Sequence, residues 1–480
     1  MSPSYHSSSL SSLSSSTAHN GDNIEVRLNS HHNFKIYGCG APVHGEVVIT
    51  LRESTSFDFV SILLMGISKT CTGTAMFDRH VSHVFLKVNM PIAESAYPTS
   101  RTFEAGRTYK IPVDFVIPMH LTTNACSHKT QFRAVYDQHT RMPPSMGSWG
   151  RDDLSTARAR IEYTTKAYIV RRQIGLSCCP AKVMEASHLI RVLPVSVEDP
   201  PLHVTTQDET YTLTTSQKVR KNIVSASQGL ITISAHQPAA IRISTDGDPN
   251  SRNTVFINLT FDAVAPEIPA PNVSHVSGKL QVTTWFSSVP MEAFPNLADS
   301  RRSFATQQQY AKSIPLFFSS LENVTPWCAQ ELGVHEAEIC LREHLRPVEE
   351  ASEQKIESES NQPLRRHATL QVPFTIAANS SMLLPTFHSC LISRTHSIKL
   401  RVHFSDAKFD LHVPVQVIVE RSEGEILQEA EPPSFDFGTT QGEQDPLQPR
   451  TMRQPASEFR GTSVLPGYAG TGRAFGTASS

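Results

Sequence analysis

The sequence predicts an all-β protein built as two antiparallel β-sandwiches in tandem. Three observations carry that expectation. Apolar and polar residues alternate along run after run. Turn residues separate the runs. The 480 residues exceed what one sandwich of about 100–170 residues holds.

The alternation is explicit. Val43, Val47, Ile49 and Leu51 share one face, with Gly45 in the remaining position. Tyr109, Ile111, Val113, Phe115 and Ile117 repeat the pattern, as do Leu370, Val372, Phe374 and Ile376. Ile398, Leu400, Val402 and Phe404 follow, then Leu411, Val413, Val415, Val417 and Val419. Such a period sets one face on a core and the other toward solvent, as in antiparallel sheets. Pro112 and Pro414 sit inside two of these runs. Proline cannot donate to a ladder, so both strands are expected at edges or bulges. Asn20-Gly21, Gly38-Cys39-Gly40, Gly106 and Asp246-Gly247-Asp248 mark turns.

These signals divide the chain. Residues 1–22 are Ser-rich and expected to lack structure. Residues 23–195 form the first sandwich and 205–422 the second. The boundary falls near Glu198-Asp199-Pro200-Pro201, where two prolines stop the preceding strand. A helical and acidic insertion is expected near 329–367. Leu332, Val334, Ala337, Leu341 and Leu345 would share its helix face. Residues 347–367 and 423–480 carry too little apolar surface to offset chain entropy.

Composition narrows the function. Hydrophobic residues are 39% and charged residues 18%, with 43 Lys+Arg against 45 Asp+Glu. A net charge of −2 argues against a basic nucleic-acid binder. The most apolar run, residues 59–67, is far shorter than the roughly 18–20 residues of a bilayer span. No signal peptide, myristoylation or prenylation signal is read, so a cytoplasmic protein is expected. Eight cysteines without a CxxC pair fit reduced thiols. The sequons at Asn258, Asn272, Asn323 and Asn379 are then chance.

Each chemical constellation has a plain counter-reading. Gly38-Cys39-Gly40 lacks the third glycine of a nucleotide fingerprint, since position 43 is Val. His335, Glu336, Glu338, Cys340 and His344 cluster on the expected helix, but Ile339 breaks HExxH. Vicinal Cys178-Cys179 cannot easily chelate one zinc. Cys126 with His128, and His388 with Cys390, sit two apart and share a strand face if extended. Each pair is half of a metal site at most, and core or turn roles are commoner. No GxSxG elbow, P-loop or kinase set occurs. No catalytic residue, cofactor or metal is therefore assigned. Arg171-Arg172, Arg301-Arg302 and Arg365-Arg366 could meet phosphorylated or lipid partners, but solvated loops account for them.

The tail offers one recognition motif. In Leu465-Pro466-Gly467-Tyr468, proline presets an extended segment and tyrosine fills a pocket beside it, the form WW domains read. Leu replaces the first proline of PPxY. Pro432-Pro433-Ser434-Phe435 is a nearer match at its prolines but lacks the hydroxyl.

The ordered pieces YGCGAPVHGEVVITL (37–51), HVFLKVNMP (83–91) and FEAGRTYKIPVDFVIP (103–118) resemble fungal arrestin-like proteins, the α-arrestin group. Cys126-Ser127-His128, MPPSMG (142–147) and ARIEYTTKAYIVR (159–171) continue the likeness. In the second half, GLIT (229–232), GKLQ (278–281), LPTFHSCLISR (384–394) and VPVQV (413–417) match. The likeness spans about residues 23–420.

The resemblance implies a non-enzymatic adaptor in membrane-protein trafficking. Its partners would be membrane transporters or receptors as cargo and a WW-domain HECT-type ubiquitin ligase that drives their endocytosis. Leu465, Pro466 and Tyr468 would be the ligase-binding residues, although no PPxY occurs. Recruitment to the plasma membrane or endosomes would be peripheral. His388 and Cys390 fall in the family's LPTFHSCLISR strand, which favours a structural role. The alternative within the fold is a signalling or endosomal-sorting scaffold, of ambient-pH or retromer type, without a ligase. An enzyme would carry bound metal, and a secreted glycan binder would carry disulfides.

Overall fold

The computed structural model describes residues 14–16, 23–32, 35–74, 77–172, 180–220, 226–249, 251–302, 305–320, 327–330, 365–376, 381–404 and 407–421. These residues form two sandwiches of antiparallel sheets. In the first, one sheet runs in the order Ser14–Ser16, Pro180–Val192, Ala159–Arg172, Phe59–Thr72, Arg79–Met90. Ile36–Tyr37 adds to Pro180–Val192 in parallel. The other sheet has Asn23–Leu28, Pro42–Thr50 and Thr108–Val116 in that order.

In the second sandwich, one sheet runs Thr214–Arg220, Ser227–Ala235, Arg252–Ala263, Arg365–Thr375, Cys328–Gln330. The other sheet pairs Gln307–Ser320 with Val273–Ser287 and that strand with Ile392–Phe404. Phe387–His388 and Lys408–Val415 share the far side of Ile392–Phe404. Ile241–Ile243 and Val417–Val419 close a short parallel pair.

The alternating faces are the cores. Val43, Ile49, Ile117, Leu370, Ile398, Val402 and Val413 are all 0% exposed. Each such side chain contributes about 1.5–3 kcal/mol over its exposed state. Gly45 does more than leave a gap. A Cβ there would lie 2.2 Å from the Arg27 carbonyl oxygen on the paired strand. Pro112 and Pro414 lie on strands with one long ladder each, Thr108–Val116 and Lys408–Val415, so no ladder donor is missed.

Two expectations need correction. Ala329 does not open a helix, because Cys328–Gln330 is a strand paired with residues 365–367. Arg365 and Arg366 likewise extend the strand Arg365–Thr375. Arg365 pairs with Asp262 at 2.7 Å, and Arg366 donates to the Ile268 and Pro266 carbonyls, which anchors this end. Ser14–Ser16, within the stretch expected to lack structure, pairs with residues 186–188. The remainder of the insertion, the tail beyond 421, Cys178-Cys179, and His335 to His344 lie outside the described residues. No helix of the described residues is long and apolar enough to cross a membrane.

Candidate functional site

The strands that reach the junction of the sandwiches break their own alternation there. In Phe59–Thr72 the buried residues turn polar as Ser68, Thr70 and Thr72. In Val273–Ser287 they become Thr283, Thr284 and Ser287. In Ile392–Phe404 they are Ser393, Arg394, His396 and Ser397 before apolar residues resume. Buried polar groups require partners, and several of these find them across the seam. Thr70 Oγ1 donates to the Ser287 carbonyl at 2.8 Å. Gln308 Nε2 donates to the Gly73 carbonyl at 3.0 Å.

Arg394 is the centre of this polar contact. It is 0% exposed. One guanidinium nitrogen donates to the Asp153 carbonyl at 2.5 Å and the other to Thr284 Oγ1 at 2.9 Å. The second also touches Met146 Sδ at 3.5 Å. Nε has no partner among the described residues. Burial lowers the guanidinium pKa to about 10, against the pull of Asp153 and Asp152. The side chain therefore stays charged at neutral pH.

The loop carrying Asp152 and Asp153 wedges into the second sandwich. Its backbone is fixed by its own carboxylates. Asp153 accepts from the Gly147 N–H at 2.6 Å and the Ser155 N–H at 3.1 Å. The Asp152 carbonyl accepts from the Met382 N–H at 2.8 Å. The ion pair with Lys312 holds the Asp152 carboxyl below the usual range. Arg151 reaches Asp248 at 2.7 Å.

The connector between the sandwiches is tied to both. The Asp199 carboxylate accepts from Arg141 at 2.9 Å and Gln138 at 2.8 Å. Its N–H donates to Gln416 Oε1 at 2.8 Å, and its carbonyl accepts from Gln416 Nε2 at 2.6 Å. Ser196 and Val419 exchange backbone and hydroxyl bonds beside it. A cavity of about 440 Å³ opens here, lined by Met119, Pro143, Pro194, Phe387 and Val417, with Arg141 on its wall.

Next to this cavity, thiols and imidazoles converge. Cys126 follows the short turn Thr123–Ala125, and His139 ends the helix Arg133–His139. Cys390 sits in the turn after Phe387–His388. That turn is pinned by Ser389 bonding to the Ile392 carbonyl and by the Met291 N–H donating to the Cys390 carbonyl. One ligand-type atom from each of Cys126, His128, His139 and Cys390 lies within 4.8 Å of all the others. Cys126 Sγ is 3.7 Å from His139 Nδ1 and 3.7 Å from His128 Nδ1. Burial pushes the Cys390 thiol up to about 12 and His139 down to about 3.

The structure thus joins Cys126 and His128 to Cys390, residues of the two separate half-pairs in the sequence. His388 stays outside the cluster and packs on the Phe294 ring at 4.7 Å. His139 carried no sequence signal, because its approach depends on the fold of the loop between it and Cys126. Arg394 did carry one: a run of polar residues on the buried face of an otherwise apolar strand. The basic pairs are ordinary surface contacts where described. Arg171 donates to the Ser56 carbonyl and Arg301 pairs with Glu209. Leu465, Pro466 and Tyr468 lie outside the described residues.

Residues 306–419 match the family model of the Bul1 C terminus. The match begins one residue before the strand Gln307–Ser320 and ends at Val419, so it takes in Arg394, Cys390 and Gln416. No curated protein matches the chain. Two sandwiches in tandem, the second matching the Bul1 C terminus over residues 306–419, are consistent with an arrestin-like protein.

Proposed function

We propose that this protein is an adaptor in membrane-protein trafficking that links cargo to a ubiquitin ligase for endocytosis. The observation that carries the reading is the match of residues 306–419 to the C terminus of Bul1, a yeast arrestin-related trafficking adaptor. An adaptor holds two partners at a set spacing and needs no reaction centre. A seam of directional buried bonds suits that task, since it limits the ways one sandwich can turn on the other.

Cargo would engage sheet faces, edges or the groove between the sandwiches. The ligase would be a WW-domain HECT-type enzyme held by Leu465, Pro466 and Tyr468. A cytoplasmic location with peripheral recruitment to the plasma membrane or endosomes follows from that role. Affinity purification of the full chain from its native host, wild type beside Tyr468→Ala, tests it. A ligase and membrane transporters or receptors should copurify with wild type, and the ligase should be lost from the variant. A ligase retained by the variant would remove the motif. Endosomal-sorting or signalling proteins without any ligase would replace this reading with the scaffold.

A further inference from the structure

We propose that Cys126, His128, His139 and Cys390 form a structural Cys2His2 zinc site that fastens the two sandwiches together. The proposal stands apart from the adaptor reading and rests on geometry alone. A tetrahedral zinc with Zn–S near 2.3 Å and Zn–N near 2.0–2.1 Å separates its ligand atoms by about 3.3–3.8 Å. The contacts from Cys126 Sγ are 3.7 Å to His139 Nδ1, 3.7 Å to His128 Nδ1 and 3.8 Å to His128 Nε2. The whole set lies within 4.8 Å, so the widest pair would close by about 1 Å on binding. Either nitrogen of His128 can face the centre.

The donor set selects the metal. Two thiols with two imidazoles suit zinc, whereas magnesium and calcium require oxygen ligands. Binding would replace two S–H bonds by two Zn–S bonds and release two protons to solvent, with no change of oxidation state. Four protein ligands leave no open position, which marks a structural site and not a catalytic one.

The ligands come from both sides of the seam. Cys126, His128 and His139 flank the loop and helix of the first sandwich, and Cys390 belongs to a turn of the second. The supports are already in place. Cys390 Sγ contacts the Ala125 carbonyl at 3.8 Å, and the Gln131 N–H donates across the seam to the Glu292 carbonyl at 2.8 Å. Cys126, His139 and Cys390 are 4%, 2% and 5% exposed, while His128 is half-buried and gives the metal its way in.

The test uses the full chain purified under reducing conditions without chelator. Zinc is counted by mass spectrometry, and cobalt(II) alone is added to apoprotein and followed by absorption. About one zinc per chain and a thiolate-to-cobalt charge-transfer band are expected. Cys390→Ser should lose most of that band. Because it alters a buried residue, the half-buried His128→Ala provides the second variant. It should keep the wild-type circular dichroism and bind zinc at least about tenfold more weakly. Cys71→Ser, away from the cluster, should change neither. Three results would each overturn the proposal: folded wild type with neither zinc nor a cobalt band, full zinc retained in His128→Ala and Cys390→Ser alike, or a Cys126–Cys390 disulfide in the native protein.

Discussion

Two buried polar groupings cross the same seam, and they solve the same problem differently. Around Arg394 the contact is ionic. A full positive charge lies among a carbonyl, a hydroxyl and a thioether, with the Asp152 and Asp153 carboxylates close by. Around Cys126 the groups bond only weakly, with sulfur-to-nitrogen contacts of 3.7 Å. The first grouping is directional and already bonded. The second packs donors of a metal set without strong bonds between them. The two groupings therefore resist displacement by different means. A buried charge penalises any displacement of its partners, because the desolvation cost returns at once. A weakly bonded cluster penalises displacement little unless something binds it.

Changes at the ionic grouping should therefore have the largest effect. Arg394→Met removes the charge but leaves the Asp153 carbonyl and Thr284 hydroxyl without their donor. A loss of about 3 kcal/mol in urea unfolding is expected. Arg394→Lys should recover less than half of that, since an ammonium cannot reproduce the planar fork. Full recovery by lysine would show that charge alone matters here.

Acidification should act next, through His396. This residue is 2% exposed, accepts or donates one bond with Thr386 at 3.0 Å, and leaves Nε2 without a partner among the described residues. Burial, and then the Arg394 charge, hold its pKa well below 6.5. The unfolded chain therefore takes up the proton first. Its share of stability is present above about pH 6.5 and is lost progressively as the pH falls below it. Urea midpoints across that range should fall less steeply in His396→Asn, with buried His139 and His388 supplying part of the remaining slope. They should also flatten in part in Arg394→Met, where the second cause is gone. An unchanged slope in both variants would separate His396 from the seam.

Single neutral bonds across the seam come third. Thr70→Val keeps the shape of the side chain but loses its bond to the Ser287 carbonyl. A cost of about 1–2 kcal/mol is expected in thermal or urea unfolding. The smallest effect belongs to Lys312→Ala. Its partner Asp152 and its own side chain are 50% and 43% exposed. Solvent and salt screen that pair, so a change within about 0.5 kcal/mol, vanishing in high salt, is expected. A large effect there would mean the loop, and not Arg394, holds the sandwiches.

The same seam explains what the sequence could and could not reveal. The cores were legible because period two is a local property. Val43 to Leu51 or Ile398 to Phe404 can be read without knowing their partners. The seam was only half legible. Ser393, Arg394, His396 and Ser397 are buried polar residues on a strand, and that interruption is visible in the residue string. Their partners are not, because Asp153 and Thr284 lie 241 and 110 positions away. His139 joins Cys126 only through the turn of an intervening helix, and Cys390 joins them only when both sandwiches are folded. The strand Cys328–Gln330 was hidden for another reason. The apolar spacing from Leu332 to Leu345 favoured a helix starting at Ala329, whereas the edge of an existing sheet offered those three residues a ladder.

These contacts should make the two sandwiches unfold as one cooperative body. Single-tryptophan variants test it most directly. Trp149 lies in the first sandwich's wedge loop, with its indole donating to the Ser145 carbonyl at 2.7 Å. Trp285 lies in the second, 1% exposed and bonded to Thr395 at 2.9 Å. Urea unfolding followed by fluorescence, with the other tryptophans replaced by phenylalanine, reports each side separately. Coincident midpoints and slopes that shift together in Arg394→Met are the predicted result. Two transitions at different urea concentrations in the otherwise unaltered chain, unmoved by Arg394→Met, would contradict it.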